Sequence, residues 1–174
     1  MIGMIKLLKR IIVVIAALAT SCNSEDVTSM RQVDRDFILK ASELNLAEIE
    51  LGELAATKAT APSVRNFAEL MVTEHQAAYD ELESIATDNS TAITTSVNFE
   101  HQDIKQRLSE MSGYAFDTAY MRSQIKDHEK SILLFETEIS NGNDPRVKDH
   151  AIQYLPQIQL HHHKADSISL LINQ

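Results

Sequence analysis

Four stretches of this chain carry apolar residues every three or four positions, and each is broken once, near its middle, by an ionisable side chain. The stripes are Phe37, Ala41, Leu44, Leu51 and Ala55 with Glu48 among them; Val64, Phe67, Met71, Ala78, Leu82 and Ile85 with His75; Met121, Ile125, Ile132, Phe135 and Ile139 with His128; and Val147, Ala151, Leu155, Ile158, Ala165, Ile168 and Ile172 with His161. That spacing places each set on one face of an α-helix. The chain has four Gly, three Pro and no Trp, and little of the period-two alternation that marks a strand, so the fold class is all-α.

The helices pair into hairpins. Pro62-Ser63-Val64-Arg65-Asn66-Phe67-Ala68 is echoed by Pro145-Arg146-Val147-Lys148-Asp149-His150-Ala151 at the start of each second arm, with proline in the first turn, where its missing N–H costs nothing. Asp144 supplies an N-cap to the later arm. Two similar hairpins predict a four-helix bundle. Between them, Asp88 to Val97 is rich in Ser, Thr and Asn and reads as loop, and His101 to Ser112 as a short amphipathic connecting helix ended by Gly113. This connection is long enough to cross the bundle or to turn back on itself.

Residues equally far from a hairpin turn lie side by side. Glu48 is 13 positions before Ala61 and His75 is 14 after it, a mismatch of ~1.5 Å at helical rise, which predicts that these two face each other. In the second hairpin His128 is 14 before Gly142 and His161 is 18 after Asn143, leaving about 6 Å of mismatch. Pro156, in mid-helix, could kink the arm and alter that offset.

Residues 1–21 belong to targeting. Lys6, Lys9 and Arg10 precede the apolar run Ile11 to Leu18, too short to span a bilayer and laid out as a signal peptide. Its end, Leu18-Ala19-Thr20-Ser21-Cys22, resembles a bacterial lipobox, which implies cleavage before the chain's single Cys and lipidation of Cys22. One Cys permits no disulfide within the chain. Residues 22–33 read as a flexible tether reaching at most ~40 Å, and residues 34–174 as one domain large enough for its own core. Asn23 after Cys22 is not the aspartate that marks inner-membrane retention, so an outer-membrane lipoprotein facing the periplasm or the cell surface is expected. Loss of a leader with three positive charges and no negative ones takes the formal charge from −9 to −12. That balance disfavours nucleic acid and leaves the lipid anchor and a metal ion as the expected partners.

Residues 45–55 (NLAEIELGELA), 64–86 (VRNFAELMVTEHQAAYDELESIA) and 112–156, with the following His161, resemble a bacterial envelope domain-of-unknown-function family of ferritin-like helical proteins, commonly labelled predicted outer membrane protein. The resemblance covers essentially the whole mature chain. It matches a recurring Glu of helix one to Glu48, the histidine closing an MV-x-D-H string to His75 (with Glu74 in place of Asp), the histidine of a second such string to His128, and one five residues after Leu-Pro to His161. Ala61 departs from it, standing where the family commonly has an Asp N-cap. The His161-His162-His163 run leaves open whether His161 or His162 is the fourth member.

An unpaired carboxylate in an apolar seam costs several kcal/mol, so Glu48 needs imidazoles or a shared cation beside it. Glu48, His75, His128 and His161 are therefore the candidate metal ligands, a set suited to Fe, Zn, Cu or Mn and unlike a thiolate site or a calcium cage. The alternatives are a metal-free structural or interaction module whose Glu/His cluster fixes helix register, and a metal-dependent oxidoreductase. No Glu-x-x-His pair occurs in the chain, which argues against a di-iron oxidase. Storage, buffering or sensing of a metal ion, with no catalytic residue, is the expected role. Asp117 and Tyr120 read as structural, Asp117 near a helix start.

Overall fold

The computed structural model describes residues 30–173, so the expected leader, Cys22 and most of the expected tether lie outside the described residues. Five helices follow one another: α1 (Gln32–Lys58), α2 (Pro62–Asp88), α3 (Phe99–Glu110), α4 (Gly113–Asn141) and α5 (Pro145–Ile172). No strand occurs among the described residues, and no helix there is long and apolar enough to cross a membrane. The four apolar stripes point inward as their periodicity requires. Around the bundle α1 packs on α2 and α4, and α5 on α4 and α2.

The long connection crosses the bundle from end to end. It leaves α2 beside the α4–α5 turn, where Asp88 pairs with Arg146 at 2.9 Å, and then climbs α1. Thr94 bonds Ser42 and Leu39, Asn98 bonds Glu43, Lys105 pairs with Glu50 at 2.7 Å, and Lys58 reaches the Ser109 carbonyl. The contacts decide what loop length could not: α4 starts at the end of the bundle where α2 starts, the connectivity of a four-helix bundle with one long crossover. The short helix begins at Phe99, earlier than expected, because the Asn98 side chain accepts the His101 N–H and caps it. Gly113 (φ 58°) does not end α3 but opens α4 in the left-handed region, where glycine is favoured.

Each hairpin turn is fastened by an aspartate from the other hairpin. The Asp117 carboxylate accepts the N–H groups of Thr60 and Ala61 at 3.0 and 2.8 Å, serving the start of α2, where Ala61 has no side chain to cap with. Asp34 accepts the N–H groups of Asn143 and Asp144 at 2.7 and 3.1 Å and that of Arg31 at 2.6 Å. These bonds hold the Asp34 carboxyl below its ordinary range despite burial. α1 begins at Gln32, two residues inside the stretch read as tether.

Candidate metal centre

Two apolar clusters fill the bundle, one around Leu51, Phe67, Met71, Phe116 and Tyr120, the other around Phe37, Leu82, Phe135 and Val147. Where they meet, three helices each contribute a histidine. His75 from α2, His128 from α4 and His161 from α5 are 6%, 1% and 2% exposed. Their ring centroids stand 5.6 Å (His75–His128), 5.4 Å (His75–His161) and 5.4 Å (His128–His161) apart. One ring nitrogen from each lies within 4.8 Å of the others.

The other nitrogen of each ring is engaged. His75 Nδ1 lies 2.8 Å from the Asn45 side-chain oxygen on α1, His128 Nδ1 lies 2.8 Å from the Gln124 carbonyl, and His161 Nε2 lies 2.5 Å from Glu74 Oε2. That leaves His75 Nε2, His128 Nε2 and His161 Nδ1 buried with no hydrogen-bond partner. Each imidazole is thus oriented by an acceptor on one side and presents a bare nitrogen on the other, the pattern that outer-sphere groups impose on metal-bound histidines.

Burial pushes all three imidazoles towards the neutral form. For His75 the shift is well below the ordinary value, with the neighbouring His128 and His161 adding to it. His128 is lowered to about 4 by burial and by His161. Burial lowers His161 too, although the Glu74 carboxylate beside it pulls the other way. Neutral imidazoles carry the lone pairs a metal needs, so protons compete weakly for this site at neutral pH.

The structure brings three of the four expected residues together and sets the fourth beside them. Glu48, 2% exposed, has Oε1 3.6 Å from His128 Nδ1, the nitrogen that faces Gln124; its Oε2 has no hydrogen-bond partner. Burial, then the nearby Asp127, push its carboxyl well above the ordinary range, while the Gln124 side chain pulls the other way. The α1 residue facing His75 is Asn45 and not Glu48, one turn earlier on the same helix. The offset counted along the second hairpin does not part its histidines, and α5 continues as helix through Pro156. His161 joins the cluster, whereas His162 is half-buried beside Glu129 at 3.6 Å and His163 is exposed.

Four further groups were not foreseen. Glu74, noted only as a departure from Asp, holds His161. Asn45 stands 11 residues after Asp34, as His128 stands 11 after Asp117, and aligning the hairpins on their aspartates would have found it. Buried His101 faces Asp127 at 3.6 Å behind Glu48, and buried His150 faces Glu81 at 3.4 Å.

Fold and site together define a helical-bundle domain with a converging cluster of buried, neutral histidines. Residues 19–168 match the family described as "Domain of unknown function (DUF4142)", and the chain belongs to that family. Two solved structures share the fold. A DUF305 fragment from Deinococcus radiodurans superposes with a TM-score of 0.73 at 11% identity, over 81% of this chain and 97% of that one. CopM in its Ag-bound form gives 0.64 at 14% identity, over 77% and 93%. No curated protein matches the chain.

Proposed function

We propose that the domain binds one transition-metal ion through His75, His128 and His161, and that it serves to store, buffer or sense that ion. The observation that carries this reading is the set of three unpartnered, buried ring nitrogens converging from three helices, each on a ring oriented from its far side. Each buried polar atom left without a partner costs ~1–3 kcal/mol, and a shared cation removes all three penalties. The residues fit such an ion. Nitrogens around a tetrahedral zinc lie ~3.3 Å apart, and one nitrogen of each ring already lies within 4.8 Å of the others. Imidazole donors suit Zn, Cu, Fe and Ni, whereas a hard ion such as calcium prefers oxygens. The fold-sharing CopM structure holds silver, which favours including soft monovalent copper among the ions tried. Glu48, 3.6 Å from His128, is placed to balance the charge of an incoming cation from beside the cluster.

The domain does this, in our reading, at the bacterial cell envelope, tethered to the outer membrane by lipid on Cys22. The leader with its short apolar core, ending at the chain's single Cys, supports this. Cys22→Ala is expected to release the protein from the membrane fraction; a variant still processed and membrane-bound would refute the anchor.

Elemental analysis of the mature domain, purified without a histidine tag, tests the metal reading. One equivalent of a transition metal, lost in His75→Ala, is the expected result. No retained metal and no rise in melting temperature with Zn(II), Cu(I), Mn(II) or Fe(II) would leave a polar core that only fixes helix register.

A further inference from the structure

The three histidines lie inside the bundle, so an ion must cross a helix seam to reach them. The α2–α5 seam differs in chemistry from the apolar clusters on either side of the site. Along it, carboxylates on α2 meet buried imidazoles on α5. Glu74 holds His161, and Glu81 faces His150 and accepts from the Tyr154 hydroxyl at 2.9 Å and from Gln153. Both carboxylates reach solvent, with side chains 30% and 38% exposed.

Of these two carboxylates, Glu74 is the one that touches a histidine of the cluster. Behind it lies a cavity of about 10 Å³ whose walls include His75, His161, Asn45 and Gln157, close to the least space that holds one water or bare ion. In its wall the Gln157 side chain donates to the same Glu74 oxygen that faces His161 Nε2. One carboxylate therefore touches solvent, accepts a hydrogen bond from Gln157 in the cavity wall, and grips a histidine of the cluster.

We propose that Glu74 and Gln157 form the port through which the metal ion reaches the three-histidine site, Glu74 drawing the cation to the seam and passing it to His161, and Gln157 acting as the movable cover. This rests on the metal-binding reading above. An acidic group at the mouth of a low-dielectric passage concentrates cations and speeds their capture, by ten- to a thousandfold in favourable sites, and the gain fades with salt. Glu74 is here a positioning and capture residue: once the ion sits on the cluster, its carboxylate holds the His161 ring from behind.

The test is rapid mixing of the metal-free domain with cobalt(II), followed through the visible absorption that cobalt gains on nitrogen coordination. Glu74→Gln, which keeps size and a hydrogen-bond acceptor, is expected to bind one cobalt still, but to load at least about tenfold more slowly and with much weaker salt dependence. Gln157→Ala is expected to quicken both loading and removal by a chelator, since it uncovers the cavity. Glu81→Gln, which alters the same seam away from the cluster, is expected to load at the wild-type rate. The port is refuted if Glu74→Gln loads as fast as wild type, if Glu81→Gln slows loading equally, or if Asp127→Asn on the α4 side is the variant that slows it. Failure of the wild-type domain to bind any cobalt, zinc or copper refutes the metal reading itself, which separates that failure from failure of the port.

Discussion

Two imidazole–carboxylate pairs stand on one seam of this bundle, and they have different surroundings. His161 with Glu74 and His150 with Glu81 each join a buried α5 histidine to a part-exposed α2 glutamate, and each leaves one ring nitrogen buried and unpartnered. Beyond His161 lie two more imidazoles; around His150 lie Phe37, Phe135 and Tyr154, with ring centroids 6.3, 6.2 and 4.6 Å away. An orphan nitrogen is therefore not evidence of a site by itself. Convergence is, because a metal needs several donors within reach of one point, whereas His150 offers one donor to an aromatic wall.

The largest expected effect separates the pairs directly. A ligand that binds only the folded state adds RT ln(1 + [L]/Kd), about 2.7 kcal/mol at a hundredfold excess over Kd. His75→Ala or His128→Ala is expected to abolish the metal-dependent rise in melting temperature. His150→Ala should lower the melting temperature of metal-free and loaded protein alike and leave the rise intact; a rise that vanished with His150 would break the comparison.

Acid should act next. The folded-state values of His75, His128 and His161 lie below the ordinary 6.5, so the unfolded chain takes up protons first as pH falls. Their contribution to the stability of the metal-free domain is then full above 6.5 and declines as pH drops towards the value of about 4 held by His128. Denaturation curves across that range check this, and His128→Ala should flatten them. Metal binding should persist to lower pH than an ordinary exposed histidine site permits, since the competing protonation of His128 comes late.

Glu138 gives the opposite sign at the far end of the bundle. Burial, with Asp34 beside it, pushes its carboxyl up from 4.5 to about 8. The folded state holds that proton longer than the unfolded chain, so this contribution is full below 4.5 and is lost as pH rises through about 8. Glu138→Gln should remove the alkaline decline without touching the acid one, as paired melts at pH 6 and pH 9 would show. A smaller effect, ~1 kcal/mol, is expected from Asp117→Ala, which frees the Thr60 and Ala61 N–H groups at the α2 start. His163→Ala, exposed and outside the cluster, should change neither melting nor metal uptake.

The sequence by itself determined which residues are helical and which face of each helix turns inward, because helix period and proline position are local properties. Glu48, His75, His128 and His161 were legible as inward polar positions for that reason, and the Pro62 and Pro145 echo as two like hairpins. Only the tertiary structure decided what each group meets. Asn45 and not Glu48 faces His75, Asp117 serves the turn that Ala61 cannot cap, Glu74 reaches across to His161, and the crossover runs the length of α1. Rotation and axial shift between helices are set by how side chains interlock across the seams. A shift of one residue, ~1.5 Å along the axis and ~100° around it, is enough to exchange one polar partner for another.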